Sequence, residues 1–137
     1  MFELPPCLYN IAEDYQIPPT LIMAIHKTEG GKPGSVIGPN RNGSYDLGPM
    51  QINDLWLPEL KEQGISREEL INDACINIKV GAWILAKRYK EFDNSWIKAV
   101  KAYNAGYILS NGESYALKTF TYWLEILEKN KAQPADK

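Results

Sequence analysis

The segment ACINIKVGAWILAKRYKEF, residues 74–92, does most to restrict what this chain can become. Asp73 stands before it as a helix cap, and on a 3.6-residue period Ala74, Ile78, Leu85, Tyr89 and Phe92 make one apolar stripe. Ile76, Val80, Trp83 and Ile84 widen that stripe until most of the circumference is apolar. A helix of this kind must be buried on most sides, so other elements have to surround it.

The rest of the chain supplies them. Residues 8–16 form a short helix ended by IPP, and Pro18 and Pro19 suit the first turn of a second helix, where a missing N–H does no harm. That second helix runs through LIMAIHKTE and is broken by Gly30 and Gly31. SREE, from Ser66, has the spacing of a capping box with Glu69. Ser95 starts a helix through WIKAVKAYNA that Gly106 stops, and a last helix over about 114–129 puts Leu117, Phe120, Leu124 and Leu127 on one side. Between the glycines and residue 48, KPGSVIGPNRNGSYD is loop or hairpin, with an Asn-Gly turn signal that allows a small sheet. The pattern predicts one mainly α (α+β) domain over residues 1–129. It has five or six helices and a small loop/β-hairpin lobe, followed by a flexible polar tail over 130–137. A chain of this length buries roughly two-thirds of its unfolded surface, enough for a real core.

A net charge of −2 leaves no positive field to attract nucleic acid or an anionic membrane. No apolar run approaches the ~18 residues of a membrane span. The N-terminal MFELPPCLYN lacks a basic region followed by an apolar one, so the chain is either cytosolic or a mature sequence with a starting Met. Cys7 and Cys75 are either two buried thiols or one bridge, which would stabilise by roughly 4 kcal/mol on the chain-entropy model. The four Trp and eight Tyr serve as core filling or as platforms for sugar rings.

The chemistry available is narrow. His26 is the only histidine, so a Ser-His-Asp or Cys-His site would have to use it, and it lies beside the apolar face of its helix. One His and two distant Cys do not make a zinc site, and no glycine-rich phosphate loop occurs. Carboxylate chemistry remains, with Glu29 as the candidate. Ile25, Ile22 and Leu21 share its helical face, whereas Met23 and Lys27 point elsewhere. Desolvation and the negative end of the helix dipole would both raise its pKa, as a general acid for a poor leaving group requires. Helical phase alone favours a surface Glu at a fraying helix end.

Three strings in order, TEGG, GPMQIN and AYNAG, resemble the soluble lytic transglycosylase family, which cleaves peptidoglycan on a lysozyme-like fold; the resemblance covers about residues 7–127. NGSYDLGPMQIN and CINIKVGAWILA are similar to the specialised members that accompany type IV and type III secretion, conjugation and pilus machines. The resemblance implies Glu29 as the catalytic acid/base, and Met50 and Gln51 as a strand-edge motif beside the sugar, ended by Asn53. It implies Tyr103 as a hydroxyl facing the carboxylate and Asn104 as support for that turn. It further implies a Cys7–Cys75 disulfide, no cofactor or metal, and a periplasmic location with the export signal absent from this chain. The partners it implies are glycan strands and components of an envelope-spanning machine; the sequence leaves the oligomeric state open, with a monomer as the default expectation.

Two positions depart from the family pattern. Gly30 stands where most members have Ser after the catalytic Glu. Asp46 falls where animal-type lysozymes carry a second carboxylate, and Asp also supports its own turns. The implied reaction is cleavage of the β-1,4 bond between N-acetylmuramic acid and N-acetylglucosamine with formation of 1,6-anhydro ends. Lysozyme-type hydrolysis with Glu29 and Asp46, and a non-catalytic peptidoglycan-binding scaffold, are the alternatives.

Overall fold

The computed structural model describes residues 2–132. Its described helices are α1 (Cys7–Tyr15), α2 (Pro19–Glu29), α3 (Leu57–Glu62), α4 (Arg67–Asn72), α5 (Ala74–Glu91), α6 (Trp96–Ala105) and α7 (Glu113–Ala132). The seventh helix relative to the expected five or six is α3. It is six residues with a proline in its first turn and no side-chain cap, too short for periodicity to register. The capping residues sit where the sequence puts them. Ser66 and Glu69 close a full capping box, and Asp73 and Ser95 accept from the N–H groups of Ile76 and Lys98.

Helix α5 is the hub. Of its eighteen residues only Lys79, Lys90 and Glu91 are exposed, and it packs against α1, α4, α6 and the lobe. A disulfide between Cys7 and Cys75, with Cα atoms 6.1 Å apart, pins the start of α1 to the start of α5. Among the described residues no helix is long and apolar enough to cross a membrane.

The lobe is a three-stranded antiparallel sheet in the order β1 (Val36–Ile37), β2 (Asp46–Leu47), β3 (Ile52–Asn53). Leu47 faces Val36 and Ile52, and Asp46 faces Ile37 and Asn53. The Asn-Gly signal marks a real turn, in which the Gly43 N–H donates to the Asn40 carbonyl at 2.8 Å. The third strand lies past the stretch expected to form the lobe and comes from the MQIN string.

The last helix differs from expectation in two ways. It continues to Ala132, while residues 133–137 of the expected tail lie outside the described residues. Leu117, Leu124 and Leu127 do share a face, but that face is in solvent, at 72%, 65% and 42% exposure. The face turned inward carries Ala116 and Thr119, flanked by Tyr115 and Trp123. Beside this apolar packing, two hydrogen bonds tie it to α2. The Thr28 and Thr119 hydroxyls lie 2.8 Å apart, and Trp123 Nε1 donates to Thr20 Oγ1 at 2.8 Å. Apolar periodicity cannot register the threonine hydroxyls and the indole N–H of that interface.

Candidate active site

Helix α2 buries Leu21, Ile22, Ala24 and Ile25 completely and ends on the half-buried Glu29. The two glycines that follow have different tasks. Gly30 takes the left-handed conformation, φ 71°, and its N–H closes the helix on the His26 carbonyl at 2.7 Å. Gly31 is there for contact. A Cβ at that position would run into the carbonyl oxygens of Gly48 and Pro49, so only a bare backbone lets the end of α2 lie against the lobe. His26 secures the turn, its Nε2–H donating to the Gly31 carbonyl at 2.9 Å.

Burial pushes the Glu29 carboxyl up to about 7, and the charge of Asp46 adds to the rise. A hydrogen bond from the Tyr115 hydroxyl to Oε2, 2.6 Å long, and the more distant Lys118 ammonium oppose it. Desolvation wins. Burial first, and then the Glu29 charge, also raises the phenols of Tyr103 and Tyr115 well above their ordinary value, so both remain hydrogen-bond donors.

Glu29 opens into a cleft of about 930 Å³ between the lobe and α6. Asp46, Gln51 and Asn53 line its lobe side, and Tyr103 and Asn104 of α6 line it too. Asp46 is held by two amides, Asn53 Nδ2 at 3.1 Å and Asn40 Nδ2 at 3.3 Å, one on each carboxylate oxygen. Gln51 has a left-handed backbone, φ 53°, with its side-chain amide donating to the Gly48 carbonyl. Met50 is in the core at 1% exposure rather than in the cleft, and its carbonyl accepts the Tyr103 hydroxyl at 3.0 Å. The hydroxyl bonded to Glu29 is therefore that of Tyr115. The disulfide lies away from the cleft.

Sequence reasoning did not single out Tyr115, Asn77, Trp56 or Arg88. Tyr115 lies 86 residues from Glu29, and nothing local couples the two. Asn77, fully buried on α5, accepts from the Met50 N–H at 2.7 Å and donates to the Leu47 and Leu70 carbonyls at 2.9 and 2.7 Å, fixing the turn into β3. A polar residue among the apolar positions of the first turns of α5 is the available signal. Trp56 and Arg88 line the cleft beyond the lobe residues.

The family model described as Transglycosylase SLT domain matches residues 6–115. The Invasion protein IagB of Salmonella typhimurium is 43% identical over 100 residues, covering 73% of this chain and 62% of the relative. Protein IpgF of Shigella flexneri is 40% identical over 100 residues, 73% of this chain and 65% of the relative. A Peptidoglycan-binding-like protein of Escherichia coli O157:H7 is 33% identical over 137 residues, 93% of this chain and 81% of the relative. The chain thus spans less than two-thirds of the length of IagB and IpgF. The matched residues begin at the start of α1 and end on Tyr115, so they hold Glu29, its hydroxyl partner and every residue of the cleft: the chain belongs to the transglycosylase SLT domain family.

Proposed function

We propose that the protein is a peptidoglycan lytic transglycosylase in which Glu29 is the single acid/base. The observation that carries this reading is a carboxyl desolvated enough to hold its proton to about pH 7, yet open to a cleft of about 930 Å³. In the first step Glu29 protonates the glycosidic oxygen between N-acetylmuramic acid and N-acetylglucosamine. The carbonyl oxygen of the muramoyl acetamido group bonds to the anomeric carbon as that C–O bond breaks. Glu29, now an anion held by Tyr115, then takes the proton of the muramoyl 6-hydroxyl, whose oxygen displaces the acetamido oxygen. A 1,6-anhydro end forms, no water is consumed, and the carboxyl returns to its starting state.

The other cleft residues take supporting parts. Gln51, Asn53 and Asn104 offer amides to sugar hydroxyls and acetamido groups. Tyr103 braces the Met50 backbone, and Met50 contributes through that backbone and the core rather than by touching sugar. The serine common after the family's catalytic Glu is dispensable here, because Tyr115 supplies a hydroxyl to the carboxyl and Gly30 supplies the turn.

A second reading, lysozyme-type hydrolysis, is favoured by one observation: Asp46 lines the same cleft and its charge acts on Glu29. Two asparagine amides on its oxygens support an electrostatic and loop-holding role over a nucleophilic one. The masses of muropeptides released from purified sacculi decide between them. Anhydro ends, one water lighter, support the transglycosylase; reducing ends support hydrolysis. If Glu29→Gln still released either product, Glu29 would not be the acid. If the wild-type protein pelleted with sacculi but released nothing, it would be a binding scaffold. The substrate sets a periplasmic workplace, and the likeness to an invasion protein supports local opening of the wall for an envelope-spanning machine.

A further inference from the structure

Arg88 is the one buried charged side chain among the described residues, at 8% exposure, and it lines the cleft one helical turn after Ile84. Its guanidinium lies 4.8 Å from the ring centre of Tyr107 and 5.3 Å from that of Trp56. At one end Nη1 donates to Glu91 Oε1 at 2.8 Å, while the Tyr107 hydroxyl donates to Glu91 Oε2 at 2.9 Å. The group is therefore aimed. Two aromatic rings and one carboxylate fix its orientation, which a flexible surface arginine would lack.

The rest of its hydrogen-bonding capacity is unused. A guanidinium carries five N–H donors in a rigid fork. Among the described residues Nε is buried without a partner, and the only hydrogen bond from the group is the one to Glu91. A purely structural arginine would place its donors on protein acceptors, because a buried unmet donor on a charged group is costly. Glu91 already balances the charge. Nε is enclosed by protein; what the Nη groups lack is an acceptor, and the side chain lines the cleft.

We propose that Arg88 recognises a carboxylate of the peptide stem carried by the muramoyl residue, so that the cleft prefers stem-bearing glycan over bare glycan. This rests on peptidoglycan being the substrate. The hydroxyl and acetamido groups of the sugar chain are neutral, whereas the stem carries carboxylates, and a planar two-oxygen acceptor fits the guanidinium fork. Recognition is local. Arg41 lines the lobe side of the cleft, and Asp46 and Glu59 offset the two arginines, so the cleft as a whole does not gather anions.

The test uses the Glu29→Gln protein, which holds substrate without turning it over, and follows Trp fluorescence as three muramoyl oligosaccharides bind. One bears the stem, one has been stripped by an amidase and its freed lactyl carboxylate capped as the methylamide, and one bears a stem whose carboxylates are amidated. The stem-bearing ligand is expected to bind about tenfold tighter than the other two, the range of one charge-assisted hydrogen bond. In Glu29→Gln/Arg88→Met that ratio falls to about one. Arg88→Lys, which keeps the cation and the packing of its stem, recovers part of it. With Glu29 intact, Arg88→Met should change the ratio of KM values for stem-bearing and stripped strands, not the ratio of kcat values. An unchanged ratio in Arg88→Met overturns the proposal, as does an equal loss for all three ligands, which would mark a structural arginine. A ratio that responds to Arg88 in a protein that releases no muropeptide would sink the lytic reading and leave this one standing. Cleavage indifferent to stems would do the reverse.

Discussion

Replacing Glu29 by Gln should make the protein more stable, and by an amount that depends on pH. The carboxyl titrates at about 7 in the fold against an ordinary value of 4.5. Between those two values the unfolded chain has released a proton that the folded chain still holds, so folding stability falls as pH rises through the window. At about 1.4 kcal/mol per pH unit, the accumulated cost above pH 7 is about 3 kcal/mol, an upper figure because the carboxyl keeps some contact with water. Glutamine cannot ionise, and its carbonyl can still accept from Tyr115. Glu29→Gln and wild type should therefore differ by a small constant near pH 4. The variant should gain from pH 4.5 to pH 7 and hold an advantage of up to about 3 kcal/mol at pH 8.5. Urea denaturation of both proteins at four pH values, disulfide intact, measures the difference. A gap that does not vary with pH, or one that shrinks on the alkaline side, would refute a desolvated Glu29 and the acid role built on it.

Three other perturbations have expected outcomes. Tyr115→Phe removes the donor that holds the Glu29 carboxyl down, so the alkaline limb of the pH–rate profile, expected near pH 7, should move to higher pH. Asn77→Leu leaves the Met50 N–H and the Leu47 and Leu70 carbonyls without partners in the core. Chemical denaturation should show a loss of about 3 to 5 kcal/mol. Replacing Cys7 and Cys75 by Ala together opens a loop of 68 residues and should cost about 4 kcal/mol, read as a lower denaturation midpoint with the cleft chemistry retained.

The parts of this molecule legible in its sequence are those set by neighbours along the chain. The caps at Ser66, Asp73 and Ser95, the enclosed α5 and the turn at Gly43 each follow from a few consecutive residues. Glu29, Asp46, Gln51, Asn53, Tyr103 and Asn104, nominated from short strings, meet in one cleft. Contacts made across the chain were not legible. Tyr115 reaches Glu29 only after α7 has docked on α2, and the residues that dock it are threonines and a tryptophan rather than the leucines of its most periodic face. Arg88 acquires its setting only from Trp56 and Tyr107, which lie 32 and 19 residues away along the chain.

The same long-range contacts choose between the two readings open for Glu29. A glutamate at a fraying helix end would swing its carboxylate into water and show no rise in pKa. Here the end cannot fray. Thr28, one residue before Glu29, is tied to Thr119 of α7, and the turn after it is clamped by His26 on Gly31 and by the lobe backbone against Gly31. Exposing the carboxylate would mean lifting the last turn of α2 off α7 and off the lobe together. The apolar run before Glu29 supplies the resistance, because Leu21, Ile22 and Ile25 would lose their packing if the helix tilted. A stiff hydrophobic helix is thus what allows an acid to be held, still carrying its proton, at a position from which a looser chain would release it to solvent.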